Sequence, residues 1–475
     1  MSDTASEQKQ QRGTLRSGAL RAGDVVVMAL ASSGPTQSVA VTLAAILATV
    51  SYAGFLPILI CFVPMLGIAL GYQRLHAWQP SAGATYSWVG RVLNPHIGFF
   101  AGWIMLLYYT VGTTSLTIPL GSYLLSFFSD DAANDAVAVA AVGTVFNVVV
   151  LIVAALGAQL SAKFQWMWAV FEYALVLGFA VAAVVYISSG HPGVVAVDSS
   201  WFTVSGAGGF DSLIAGVLLA IFLYSGWDTA AYVGEESSGK KAGRAAVSSV
   251  VLLFVIYSVT VLAFQGIAPM SEMQDHAANI LAFVGERLGG GFWKEVMIAA
   301  VLGGTLASLL AAIVSSSRIG FAMGRDRVIP SWFAGVSARF GTPWNATLVF
   351  GLLNVVFLWG STLISSVGAA LADIVSTLGL MAAIFYLLTA STAIWCYRSQ
   401  ITRSVGDFVI GGVMPGLGAL FLAFVIVYAL ASGSLNGIEI AFGVGLSAFG
   451  LVLSFLSARI GKAPYYTAGR RRYGE

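Results

Sequence analysis

Roughly twelve apolar runs, each about long enough to cross the hydrocarbon core of a bilayer as a helix, follow one another along this chain. They lie at 24 to 50, 54 to 72, 98 to 127, 136 to 157, 166 to 187, 210 to 233, 246 to 267, 296 to 315, 346 to 364, 374 to 397, 408 to 431 and 438 to 456. In lipid every backbone amide and carbonyl needs an internal partner, and helices supply one within each run. The chain is therefore expected to be an all-α integral membrane protein. Its composition agrees: 58% of residues are hydrophobic and 9% charged, where a soluble domain carries about 25% charged residues.

The count of twelve can be checked against charge, because Lys and Arg collect on the cytoplasmic side. With the amino terminus inside, twelve spans put all of the 23 Lys and Arg residues on that side except Arg287 and Lys294. A miscounted span would scatter them. Both termini are thus expected to be cytoplasmic. Residues 1–22 read as an amino-terminal tail without a signal peptide, and 459–475 as a carboxyl-terminal tail whose "GRRRY" at 469 to 473 sets topology or meets anionic lipid.

Spans 1 and 6 are both interrupted. Span 1 contains "ALASSGPTQSV" and span 6 contains "YSGWDT". Glycine weakens a helix, and Pro35 removes a backbone donor. Groups freed at membrane depth need a cavity or partners. Paired interruptions in two halves of a chain point to the substrate site of a secondary transporter, whereas either alone reads as a kinked packing contact. Repeat 1 would cover 23–190, repeat 2 191–400, and 401–458 two peripheral helices.

Three stretches carry a resemblance: "FLYSGWDTAAYVGEES" at 222 to 237, "QPSAGATYSWVGRVLNPHIGFFAGW" at 79 to 103, and "SRIGFAMGRDRVIPSWFAGVSARFGTPWNA" at 317 to 346. Together and in this order they resemble amino acid permeases of the amino acid-polyamine-organocation superfamily. The resemblance implies twelve helices in a 5+5 inverted-repeat fold, with substrate held between broken helices 1 and 6. It also implies an amino acid or related amine as cargo, a cell-membrane location, and alternating access driven by H+ or Na+. Substrate exchange, with a polyamine among the candidates, is the alternative; an ion channel is a weaker one. No cofactor, metal or nucleic acid is implied, and no catalytic motif suggests an enzyme.

Candidate residues follow. Ser32, Ser33 and Gly34 precede the second half of span 1, whose amides and positive dipole end suit a carboxylate; the family often has Gly-Ser-Gly where this chain has Ser-Ser-Gly-Pro. Carbonyls at Leu223, Tyr224, Ser225 and Gly226 would accept from an ammonium group, with Trp227 capping it by cation-π attraction. Asp228 would attract the ammonium or brace the unwound segment. Tyr108 and Tyr109 would line the site or simply pack. Glu172, six residues past Trp166 and so expected about 9 Å along a helix entering from the cytoplasm, stands where the resembling permeases carry a lysine. It would bind the coupling proton, or hold a cation with Ser315 and Ser316, or bridge two helices. Glu235 and Glu236 would gate the inner side, with Lys240, Lys241, Arg244, Arg325 and Arg327 as candidate partners. Asp24, Asp211, Asp373 and Glu439 are expected at helix starts, with Asp373 a possible outer gate.

Overall fold

The computed structural model describes residues 15, 18–237, 241–276, 279–363, 367–433, 435–461 and 463–468. Lys240, the 469 to 473 tail and most of the amino-terminal tail lie outside them. The main helices are α1 (Ala22–Ser33), α2 (Pro35–Val50), α3 (Phe55–Trp78), α4 (Thr85–Val92), α5 (Pro95–Leu125), α6 (Ala136–Leu156), α7 (Ala158–Ser188) and α8 (Phe210–Leu223). Next come α9 (Thr229–Tyr232), α10 (Lys241–Phe264), α11 (Ile280–Gly289), α12 (Gly291–Arg325), α13 (Trp344–Ser361) and α14 (Val367–Tyr397). The last two are α15 (Val405–Ala431) and α16 (Gly437–Gly461).

Among the described residues eleven helices are long and apolar enough to cross a membrane, counting α1 and α2 as one. The exception is the run expected over 210 to 233, because it breaks after Leu223 and leaves α8 with 14 residues. In α5 and α12 the most apolar stretch is 78% buried, against 22% in α16, so α5 and α12 form the centre and α16 the periphery. Between α6 and α13, Asn354 donates to Asn147 at 2.6 Å and Asn147 donates to the Gly351 carbonyl at 2.9 Å. Such bonds join helices where lipid offers polar groups no alternative.

Helix starts follow local chemistry. Asn94 caps α5 and Pro95 takes the first position, where a missing amide costs nothing. Asp135 caps α6, and Asn436 with Glu439 forms a capping box. Asp24 accepts from the Arg21 amide at 2.8 Å. Asp211 sits in the first turn of α8 and accepts from the Tyr428 hydroxyl.

Two expectations need correction. Asp373 does not start a helix: α14 already runs from Val367, and the carboxylate accepts from Asn436 at 2.7 Å. Nor does a loop separate the fourth and fifth runs. Gly157, at φ 134°, turns the chain directly into α7, which a side-chain-free residue can do without strain. Glu172 therefore lies about 21 Å along its helix, near the level of the break in span 1 rather than close to the membrane surface.

Candidate functional site

The break in span 1 is confined to one residue. Gly34, at φ 32° and ψ 83°, ends α1, and Pro35 opens α2. Only glycine takes the left-handed conformation readily. The carbonyls at the end of α1, of which Leu30 O and Ala31 O also accept from the Gly34 amide at 3.2 Å, find side chains on four other helices. Tyr173 donates to Leu30 O at 3.3 Å, Ser308 to Ala31 O at 2.8 Å, and Tyr257 and Ser38 to Ser33 O at 3.1 and 2.5 Å.

The amides at the start of α2 are also taken. Glu172, fully buried on α7, accepts from the Thr36 amide at 2.7 Å and the Thr36 hydroxyl at 2.5 Å, and the Gln37 amide faces the same carboxylate. Pro35 has no amide, and Ser38 donates to Gly34 O at 2.7 Å. The positive end of α2 thus holds an internal carboxylate, the arrangement that the helix dipole favours. The carboxylate is pressed against α12: a Cβ at Gly304 would lie 2.6 Å from Glu172 Oε1 and 2.5 Å from Thr36 Oγ1. Glu172 Oε2 is buried and has no hydrogen-bond partner.

The second break runs from 224 to 228, and it crosses the first in direct backbone contact. Gly226 has φ 100°, and a Cβ there would meet Ser32 O at 2.7 Å and Ser33 N at 2.9 Å. Thr229 donates to the Ser32 hydroxyl at 2.7 Å. Among the described residues, no hydrogen bond reaches the carbonyls of Leu223, Tyr224 or Ser225 from any backbone amide beyond the helices.

Beside this crossing lies a cavity of about 40 Å³, lined by Ser32, Gln37, Ser38, Tyr108, Tyr109, Ser115, Phe222, Ser225, Gly226 and Ser308, with Gly112, Leu116 and Ala312. No charged side chain lines it. Tyr108 donates to Ser225 at 2.5 Å, and Ser225 to Phe222 O at 2.5 Å. Gln37 is 2% exposed and its Nε2 has no partner.

Asp228 is fully buried away from the cavity wall. Three tyrosine hydroxyls donate to it: Tyr109 at 2.9 Å, Tyr386 at 3.1 Å, and Tyr232. Trp227 is stacked on Tyr386 at 5.4 Å between centroids, with Tyr72 against its edge at 5.0 Å. It too is absent from the lining, and so is Tyr224, whose hydroxyl donates to Ile58 O at 3.1 Å.

Of the residues singled out in the sequence, Ser32, Ser225, Gly226, Tyr108 and Tyr109 come together around the cavity. Ser33 and Gly34 lie behind it in the break, and Leu223 is buried at the end of α8. Glu172 meets Thr36, whereas Ser315 pairs with Thr229 at 3.2 Å and Ser316 donates to Ile313 O. Glu235 pairs with Arg325 through two hydrogen bonds at 2.8 and 2.9 Å and also accepts from the Ala82 amide. Glu236 pairs with Arg318 at 2.8 Å, a partner that sequence reasoning missed. Asp373 lines a separate, mostly apolar cavity of about 370 Å³ with Thr114, Phe357 and Phe442. Gln37 was missed too, although an amide side chain inside an apolar run is itself a signal of a polar surface.

Comparison with known proteins agrees with this architecture. A family profile described as amino acid permease matches residues 23–458. The chain is 25% identical over 414 residues to the branched-chain amino acid permease BcaP of Bacillus subtilis, covering 82% of each chain. It is 25% identical to the protein of the same name from Lactococcus lactis, over 66% of this chain and 70% of that one. The methylthioribose transporter of Bacillus subtilis is 24% identical over 64% of this chain and 68% of its own. With this match over nearly its whole length and its succession of apolar helices, the chain belongs to the amino acid permease family, whose members are multi-pass membrane transporters and not enzymes.

Proposed function

We propose that this protein carries a neutral α-amino acid across the cell membrane by alternating access, with the cargo held where the breaks in spans 1 and 6 cross. The observation that carries this reading is the cavity at that crossing, lined by hydroxyls, one amide and apolar groups but by no charged side chain. The Ser225 carbonyl, which receives no backbone amide and belongs to a residue of the cavity wall, is suited to an ammonium group, and the side chain of the cargo meets no charge there. Asp228 is already served by three hydroxyls, so its role in this reading is to brace the unwound segment. The cargo named for two relatives, a branched-chain amino acid, is itself neutral.

The cavity has room for about three water molecules, so an amino acid needs the surrounding helices to draw apart. In this reading 23–190 and 191–400 are inverted repeats that move against each other, α15 and α16 are peripheral, and both termini are cytoplasmic. Glu235, Glu236 and Asp373 sit at the two gates. Glu172 couples transport to protons: its free Oε2 takes a proton, and the grip of the carboxylate on α2 then loosens. Sodium is the competing ion.

Liposomes holding the purified protein test the reading. Uptake of L-valine, L-leucine or L-alanine should saturate and respond to an imposed pH gradient, and excess L-lysine should not compete. Uptake that L-lysine inhibits as well as the neutral amino acids do would overturn it.

A further inference from the structure

We infer that Gln37, assisted by the Ser32 hydroxyl, binds the carboxylate of the cargo; this rests on the proposed transport of an α-amino acid. Two observations meet here. First, the amides at the start of α2 are not available: Thr36 donates to Glu172, the Gln37 amide faces Glu172, Ser38 donates to Gly34 O, and Pro35 has none. A cargo carboxylate arriving at the break finds the helix terminus already holding a carboxylate. Second, Gln37 lines the cavity, is 2% exposed, and leaves Nε2 without a partner. A buried donor left unmade is costly in the empty protein, and a ligand acceptor removes that cost.

The partner must be an acceptor, because the amide nitrogen only donates. Gln37 Oε1 lies 3.3 Å from the Ser38 oxygen, whose proton goes to Ser33 O at 2.5 Å, and Nε2 is on the other side of the amide plane. Ser32 adds a second donor. Its oxygen accepts from Thr229, so its own proton remains for the cavity. On the span 6 side the cavity is lined by Ser225, whose carbonyl receives no backbone amide. The cavity is therefore polarised, with donors on the α2 side and acceptors on the span 6 side, and an amino acid would lie with its carboxylate toward Gln37. A neutral amide suits this place because an added cation would stand beside the α2 dipole and disturb Glu172.

The test uses the full chain in liposomes, with exchange measured at equal pH on both sides so that no proton gradient enters. The probes are L-alanine, L-serine, L-valine and L-leucine, each with its carboxamide and its α-hydroxy acid as competitors. Gln37→Leu should raise KM for the amino acid about tenfold or more, as expected when a hydrogen bond to a charged group is lost. The preference for the acid over its carboxamide should fall by a similar factor. Should Gln37→Leu fail to fold, Ser32→Ala should reduce the same preference. An unchanged KM and an unchanged acid-to-amide preference would overturn the inference. So would a selective loss of preference over the hydroxy acid, since Gln37 would then be reading the ammonium group. If the native protein exchanges none of the four amino acids, the transport reading itself fails, and this one with it.

Discussion

Glu172 accepts two hydrogen bonds from Thr36, one from its amide and one from its hydroxyl, and so ties α7 to the first turn of α2. Glu172→Gln keeps an oxygen for Thr36 but removes the charge from the helix terminus, an interaction worth up to about 2 kcal/mol in buried settings. Counterflow in liposomes should persist, while an inward proton gradient should no longer drive accumulation. Undiminished proton-driven accumulation would remove Glu172 from the coupling scheme. Glu172→Ala should also cost about 1.5 to 3 kcal/mol of stability for each charge-assisted bond lost, read as a lower thermal midpoint.

Gly226→Ala tests the crossing of the two breaks. The new methyl meets the Ser32 carbonyl at 2.7 Å, a backbone atom that cannot rotate away, and the left-handed φ adds about 1 to 3 kcal/mol of strain. Transport should fall by at least tenfold and the thermal midpoint should drop. Gly178, whose Cβ would meet nothing within 4 Å, is the control: alanine there should leave transport unchanged and should not lower the thermal midpoint, since alanine favours the helix.

Asp228→Asn sets an amide nitrogen against tyrosine hydroxyls that now all donate. The hydroxyl that faces the nitrogen must turn from donating to accepting, and the other bonds lose the charge of their acceptor, at about 1 to 3 kcal/mol together. Tyr386→Phe removes a single donor to the carboxylate and keeps the ring against Trp227, so its cost should be that of one charge-assisted bond, about 1.5 to 3 kcal/mol. If Asp228 braces the unwound segment, both changes lower the thermal midpoint and slow every transported amino acid alike. A change in selectivity instead would return Asp228 to the binding site.

The two glutamates after span 6 should respond differently to truncation of their partners. Arg318 and Glu236 are 1% and 2% exposed, so Arg318→Met strands a buried carboxylate at about 3 to 5 kcal/mol. Arg325 and Glu235 are 35% and 22% exposed, so Arg325→Met should cost about 0.2 to 1 kcal/mol and less in high salt. Burial alone would raise the Glu235 carboxyl, yet the Arg325 guanidinium and the Ala82 amide hold it below the ordinary glutamate range. As pH falls the unfolded chain takes up that proton first. The stability from Glu235 is therefore complete at neutral pH and is lost as pH drops through its depressed value. Thermal midpoints measured between pH 7 and 3 should decline less steeply in Arg325→Met than in the native protein.

Local chemistry made the breaks readable in advance. Gly34 with Pro35, and Gly226 after Ser225, interrupt otherwise apolar runs, and each break falls where those residues stand. Long-range pairing was another matter. Glu172 and Thr36 are 136 residues apart, and nothing periodic links them. For Asp228, Tyr232 lies one turn along and was within reach of a helical spacing argument, but Tyr386 is 158 residues away. Arg318 stands inside α12, 82 residues from Glu236, and no local spacing links the two. The register of α7 was misjudged because Gly157 replaces a loop with a single turn residue.

The hydroxyls that serve Leu30, Ala31 and Ser33 have a thermodynamic consequence. With those carbonyls already served, the bend of the first span needs no guest to hold it, so binding is expected to order little backbone. Calorimetric titration should accordingly give a small heat-capacity change, set by the surface of the guest and the walls it touches, without the large negative value that accompanies ordering of a disordered segment.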